Sequence, residues 1–141
     1  MIGYLDTSAL VKLFVIEQGS KEMDEIASRA DVLATSIVAY AEARASFARL
    51  LRERVTTPRR HGSRVAKLNG DWEKYARIEL TPTLVRSSGD VAEAYALRGV
   101  DSIHLASALS LRDRIGIPLV FAAFDQRLRG AAARAGLEVV P

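Results

Sequence analysis

Ile2-Gly3-Tyr4-Leu5-Asp6-Thr7-Ser8-Ala9-Leu10 opens the chain with a short apolar run, an acid, and a stretch of helical character that continues to Phe14. An apolar run that stops at a carboxylate and passes into a helix is the pattern of a buried strand feeding a helix. Leu119-Val120-Phe121-Ala122-Ala123 repeats it, with Asp125 just beyond and a helix expected over Gln126–Ala135 before Gly136. Working outward from these two runs, a helix is expected over Ser20–Ala30 and a second strand at Val32-Leu33-Ala34-Thr35. A further helix is expected over Ile37–Arg54 and, after a break at Thr57-Pro58, a polar helix over Arg60–Ile78. Thr83-Leu84-Val85 reads as the third strand. Gly89-Asp90 leads into a helix that Gly99 ends, and Asp101 opens another that Gly116-Ile117-Pro118 stops. Leu137-Glu138-Val139-Val140 reads as the last strand. The alternation predicts an α/β fold: a parallel β-sheet flanked by helices on both faces, with ligands bound outside the carboxyl ends of the strands.

The chain has 141 residues, a length that makes one domain with a core of its own. Hydrophobic residues at 49% beside 26% charged ones exclude the disordered class. With no Cys, neither disulfides nor thiolate metal sites are available. The apolar runs are broken by charge well short of the roughly 18 residues of a membrane span, and the start lacks the basic region of a signal peptide. A cytoplasmic protein without a membrane segment is expected. Lys and Arg number 20 against 17 Asp and Glu, a mild basic excess compatible with a polyanionic partner.

Four acids carry the chemistry. Asp6 ends the first strand and Asp125 follows the fourth, so a parallel sheet brings both to one edge. A helix returning to the next strand runs against the sheet and starts at that same edge, which adds Asp101. Glu42 lies about 9 Å into its helix, but helical side chains lean toward the N-terminus and bring its carboxylate back. Asp6, Asp101 and Asp125 also sit where Asp caps a helix, and capping is the competing reading of each. Glu42 has Val38, Ala39, Ala45 and Ser46 as its helical neighbours, so it lacks the basic partner of a surface ion pair. Converging carboxylates repel one another unless a cation balances them, and hard oxygen donors suit Mg²⁺ or Mn²⁺. Such a site supports attack of water on a phosphodiester. An aspartate-phosphate enzyme would carry a second Asp two residues after Asp6, where this chain has Ser8.

The blocks Tyr4-Leu5-Asp6-Thr7-Ser8-Ala9-Leu10, Thr35-Ser36 with Glu42, Leu97-Arg98-Gly99-Val100-Asp101-Ser102-Ile103-His104-Leu105-Ala106-Ser107-Ala108-Leu109 and Phe124-Asp125-Gln126-Arg127-Leu128 together resemble the PIN-domain family, most closely its VapC-type toxins. The resemblance spans nearly the whole chain. It implies a single Rossmann-like sandwich domain over 1–141 and metal-dependent endoribonuclease activity with Asp6, Glu42, Asp101 and Asp125 as the metal-binding, catalytic acids. It also implies a homodimer and a cognate antitoxin protein that covers the site. Thr7, Ser8 and Ser36 match small polar positions that support the acids or cap helices. Ala123 departs from a hydroxyl residue that many relatives carry before the fourth acid. His104 sits among Ile103, Leu105 and Ala106 and is read as a packing residue. A binding module with little catalysis and a housekeeping RNA-processing nuclease are the alternative functions.

Arg59, Arg60, Arg64 and Lys67, with Arg49, Arg52 and Arg54 nearby, form a basic cluster suited to an RNA backbone; a solvated helical face explains it equally well. Trp72 and Tyr75 are read as packing residues, with base stacking the alternative.

Overall fold

A computed structural model describes the whole chain, Met1–Pro141. Five strands, β1 (Ile2–Leu5), β2 (Val32–Ser36), β3 (Ala76–Ile78), β4 (Leu119–Ala122) and β5 (Glu138–Val140), form one sheet in the order β3-β2-β1-β4-β5. Every adjacent pair is parallel. β1 and β4 occupy the interior of the sheet and are buried along their whole length, as uninterrupted apolar runs require. In β1, Ile2 and Tyr4 face one side and Leu5 the other, so the strand feeds two cores. On the first side Tyr4 stacks on Phe121 of β4, with ring centroids 5.5 Å apart and planes 6° from parallel.

Helices cover both faces. The Tyr4 side is closed by α5 (Pro82–Tyr95), α6 (Gly99–Ile115) and α7 (Gln126–Arg134), which contribute Leu84, Leu105, Leu111 and Leu128 to the core. The Leu5 side is closed by α1 (Thr7–Val11), α2 (Ser20–Arg29), α3 (Ala39–Arg52) and α4 (Pro58–Trp72), through Leu10, Met23, Phe47 and Leu68. Gly3 suits this packing: a Cβ there would stand 3.1 Å from Leu33 Cδ2, so the Leu33 side chain would have to give by a few tenths of an ångström. No helix is long and apolar enough to cross a membrane.

The expected α/β architecture and four of the five expected strands hold, but the third strand lies elsewhere. Thr83-Leu84-Val85 belongs to α5, and the strand is Ala76–Ile78, inside the stretch expected to be helical. Thr81 caps α5 by accepting a hydrogen bond from the Leu84 amide at 3.1 Å, and Pro82 occupies its first turn. Those two signals nucleate a helix and override the strand preference of Thr, Leu and Val. Gly89-Asp90, expected to lead into this helix, lies in its interior, with open space around Gly89. The last turn ends instead at Ala96, held in the left-handed region at φ 53°. Gly99 opens α6, so Asp101 lies in its first turn and is not its first residue.

Ala96 occupies a conformation that favours glycine. Ala96→Gly is expected to stabilise the fold by about 1 kcal/mol, seen as a higher urea midpoint at unchanged slope. An unchanged or lowered midpoint would show that the left-handed cap carries no strain.

Candidate active site

Register places the acids. Leu5 pairs with Thr35 on one side and with Ala122 on the other, and the Asp6 amide donates to the Ala122 carbonyl at 3.0 Å. Asp6 therefore leaves the sheet beside the end of β4, a few residues before Asp125. Asp101, in the first turn of α6, and Glu42, in the first turn of α3, complete the set.

The capping reading of two acids is correct as far as it goes. Asp6 Oδ1 accepts from the Ala9 amide at 2.8 Å and from the Ser8 hydroxyl at 2.7 Å. Asp125 Oδ1 accepts from the Leu128 amide at 2.9 Å. In both, every hydrogen bond falls on Oδ1, which leaves Oδ2 for another partner. Asp101 caps nothing, and its one protein partner is exposed Arg98, 3.7 Å away. Glu42 is not without a partner. Its Oε1 takes a short hydrogen bond from the Thr7 hydroxyl and lies 3.0 Å from His104 Nε2, whereas Oε2 stays unengaged.

Electrostatics ties the set together. Burial pushes the Asp6 carboxyl above its ordinary range, and Asp101 adds to that push against the opposing hydrogen bonds of Ala9 and Ser8. Asp101 is also raised, by burial first and then by the negative charges of Asp125 and Glu42, with Arg98 and His104 opposing. Glu42 moves the other way: burial raises it, but the bonds from His104 and Thr7 outweigh that and leave it lowered. Asp101 thus senses all three other acids.

The supporting hydroxyls divide. Ser8 donates to Asp6 and accepts from the Phe124 amide at 3.1 Å, which joins the first acid to the residue before the fourth. Ala123 is fully buried and its carbonyl accepts from Arg129, so Ser8 provides the anchoring that Ala123 lacks. Thr7 serves Glu42. Ser36 is buried and reaches only the Val38 amide in the turn into α3, while its neighbour Thr35 donates to the Leu5 carbonyl at 2.7 Å.

His104, read from sequence as a packing residue, is the group that reading undervalued. It is buried, yet both ring nitrogens are engaged: Nδ1 with the Tyr4 hydroxyl at 3.1 Å, Nε2 with Glu42 and Thr7. Its spacing of three residues from Asp101 on one helix was the available signal.

Arg98, Asp101, Phe124, Asp125, Gln126 and Arg127 line one surface recess. The Phe124 ring lies between Lys12, whose ammonium is 4.5 Å from the ring centroid, and Gly19, whose φ is 92°. A Cβ on Gly19 would stand 2.5 Å from Phe124 Cε1. Gly19→Ala is expected to cost roughly 1–3 kcal/mol and to lower activity by displacing the segment that carries Asp125. Thermal melts paired with cleavage assays check both, and wild-type behaviour in both would refute the packing role.

The basic cluster is only partly free. Thr57, Arg59, Arg60, Ser63, Arg64 and Lys67 line a concavity without an apolar or acidic residue. Arg64, however, donates to the Phe14 carbonyl and the Thr56 hydroxyl, and Lys67 pairs with Asp71. Trp72 packs between Tyr40 and Tyr75, and burial raises the Tyr75 phenol to about 12, so both aromatics serve packing.

No three of the acidic or histidine side chains already close around a point as a preformed ion site. The donor set nonetheless fits a hard divalent cation: oxygen donors only, Asp101 coupled to the three other acids, each of the four with a carboxylate oxygen free of hydrogen bonds, and an imidazole whose nitrogens are both spent.

A PIN-domain family model matches residues 3–134, a span that contains all four acids. Ribonuclease VapC45 and Ribonuclease VapC49 of Mycobacterium tuberculosis are each 39% identical over 142 residues, spanning 98% of this chain and 94% of theirs. A toxin-antitoxin complex from Klebsiella pneumoniae superposes with a TM-score of 0.64 at 18% identity, covering 99% of this chain and 96% of that one. Mycobacterium tuberculosis VapC20, a sarcin-ricin loop cleaving toxin, does so with a TM-score of 0.61 at 20% identity, covering 99% of both. At such identities the two structures speak for the fold; the family model and the relatives at 39% identity do more, and by them this chain belongs to the PIN-domain family, among its VapC-type ribonucleases.

Proposed function

We propose that this protein is a Mg²⁺- or Mn²⁺-dependent endoribonuclease that acts in the cytoplasm as the toxin of a toxin-antitoxin pair. The observation that supports the reading is the electrostatic coupling of Asp101 to Asp6, Glu42 and Asp125, with burial and that repulsion raising the Asp6 and Asp101 carboxyls above their ordinary range. Those four side chains would hold the cation. A divalent ion bound there supplies charge neutralisation at the phosphate and an acidified water. Ser8 keeps Asp6 in place and links it to the Asp125 segment, while Thr7 fixes one Glu42 oxygen. Arg98 and Arg127, on the rim of the acidic recess, contact the RNA phosphates flanking the cut. Arg59 and Arg60 extend that track more readily than Arg64 and Lys67, whose charged ends are already engaged.

The solved toxin-antitoxin complexes of similar fold support an antitoxin partner, and the reading includes a homodimer. The decisive experiment incubates purified protein with structured RNA in Mg²⁺, in Mn²⁺ and in chelator, beside Asp6→Asn. Cleavage that needs the ion and is lost in the variant is expected. RNA binding without cleavage would favour a binding module, and cleavage persisting in chelator would refute the metal mechanism.

A further inference from the structure

The acids do not explain why a histidine and a tyrosine are buried beside them. His104 is 2% exposed and Tyr4 is fully buried, with ring centroids 6.1 Å apart in an edge arrangement. The Tyr4 hydroxyl lies 3.1 Å from His104 Nδ1, an O–H donor facing a ring nitrogen. An imidazole that accepts at Nδ1 carries its proton on Nε2, and Nε2 lies 3.0 Å from Glu42 Oε1. With Tyr4 donating to Nδ1, a chain of hydrogen bonds runs from the sheet interior through His104 to the carboxylate.

Its placement is specific. His104 stands one helical turn after Asp101 on α6, and Thr7 follows Asp6 directly. Each of these elements thus supplies one acid and one polar group aimed at the acid on α3. Glu42 has three rotatable side-chain bonds and no basic residue three or four positions away on its own helix, so no such pair on α3 sets its orientation. The other acids have short side chains, and two of them are held by their own helix amides.

We propose that Tyr4 and His104 form a buried brace that sets the orientation of Glu42, which makes both of them positioning residues for the cation site. The inference rests on the reading of the acids as a cation site. Outer partners of this kind change metal affinity by about 10–100-fold. The brace leaves the second Glu42 oxygen without a protein hydrogen bond and spends neither imidazole nitrogen on the ion.

The test is Mn²⁺ affinity by titration calorimetry on the full chain, with circular dichroism to confirm folding. His104→Ala is expected to weaken Mn²⁺ by about 10–100-fold and Tyr4→Phe by a smaller factor. His104→Gln, whose amide N–H reaches toward the same oxygen, is expected to restore most of the affinity. On a Glu42→Gln background His104→Ala is expected to cost nothing further, because the two changes remove one interaction. Wild-type affinity in both His104→Ala and Tyr4→Phe would overturn the brace, as would an undiminished His104→Ala loss on the Glu42→Gln background. Should His104→Ala fail to fold, Tyr4→Phe decides alone, and wild-type affinity there overturns the proposal. Asp101→Asn separates the two levels. If the wild type binds no Mn²⁺, or Asp101→Asn binds it equally well, the cation-site reading fails and the brace with it; if that control behaves and only the brace variants bind normally, the brace alone fails.

Discussion

Asp101→Asn is expected to lower RNA cleavage by about 100-fold or more, equivalent to at least about 2.7 kcal/mol of transition-state stabilisation. The same substitution is expected to leave the metal-free protein as stable as the wild type, or more so. Asp101 is raised above its ordinary range by burial and by Asp125 and Glu42, so its ionised form is worse off in the folded chain than in the unfolded one. Asparagine keeps the shape and removes the charge. It sacrifices only the 3.7 Å contact with exposed Arg98, which contributes little. Activity and stability therefore move in opposite directions, a signature that a misfolded variant does not give. Mn²⁺ sharpens the contrast: at 100 times its dissociation constant an ion stabilises the protein that binds it by about 2.7 kcal/mol, and that rise should disappear in the variant. Parallel melts with and without Mn²⁺ read all of this. A metal-free melting temperature several degrees below wild type would show that Asp101 is structural, contrary to its placement here.

Phe121→Ala is expected to cost about 3–5 kcal/mol, the range for emptying a buried aromatic site. Phe121 is fully buried on the interior strand β4 and stacked on Tyr4 of β1, so its removal hollows the contact between the strands that deliver Asp6 and Asp125. Against a total stability typically near 5–15 kcal/mol, that loss leaves a substantial unfolded fraction at physiological temperature. The effect also reaches the site, because Tyr4 holds His104 Nδ1. Urea denaturation measures the loss, and a cost below about 1 kcal/mol would show that the Tyr4–Phe121 layer is not the centre of the core. Phe121→Leu, which keeps most of the volume, should remain folded and lose activity only in proportion to how far Tyr4 shifts.

The fold was legible where the signals were local and repeated. Two apolar runs followed by acids, Ile2–Leu5 and Leu119–Ala122, are buried on both faces, as continuous apolar runs in an interior parallel strand are. The third strand was not legible. Ala76-Arg77-Ile78 is too short to show a period, and it pairs only because the edge of β2 is available to it. The nearby Thr83-Leu84-Val85 carried the stronger strand preference and lost to the cap at Thr81 and Pro82.

In the site, strand direction was enough to bring Asp6 and Asp125 to one sheet edge, and the antiparallel run of the covering helices added the expected places of Asp101 and Glu42. Roles were harder to see than positions. The basic cluster was visible as charge, but only three-dimensional contacts show that Arg64 spends its guanidinium on Phe14 and Thr56. The sequence by itself determined four of the five strands, the parallel direction of the sheet and the edge at which Asp6 and Asp125 leave it, because these depend on hydrophobic pattern and chain order. Tertiary structure alone decided what each acid's neighbours do to it. Tyr4 lies 100 residues from His104, and His104 lies 62 from Glu42, so their hydrogen bonds exist only once packing has removed water and brought three elements together.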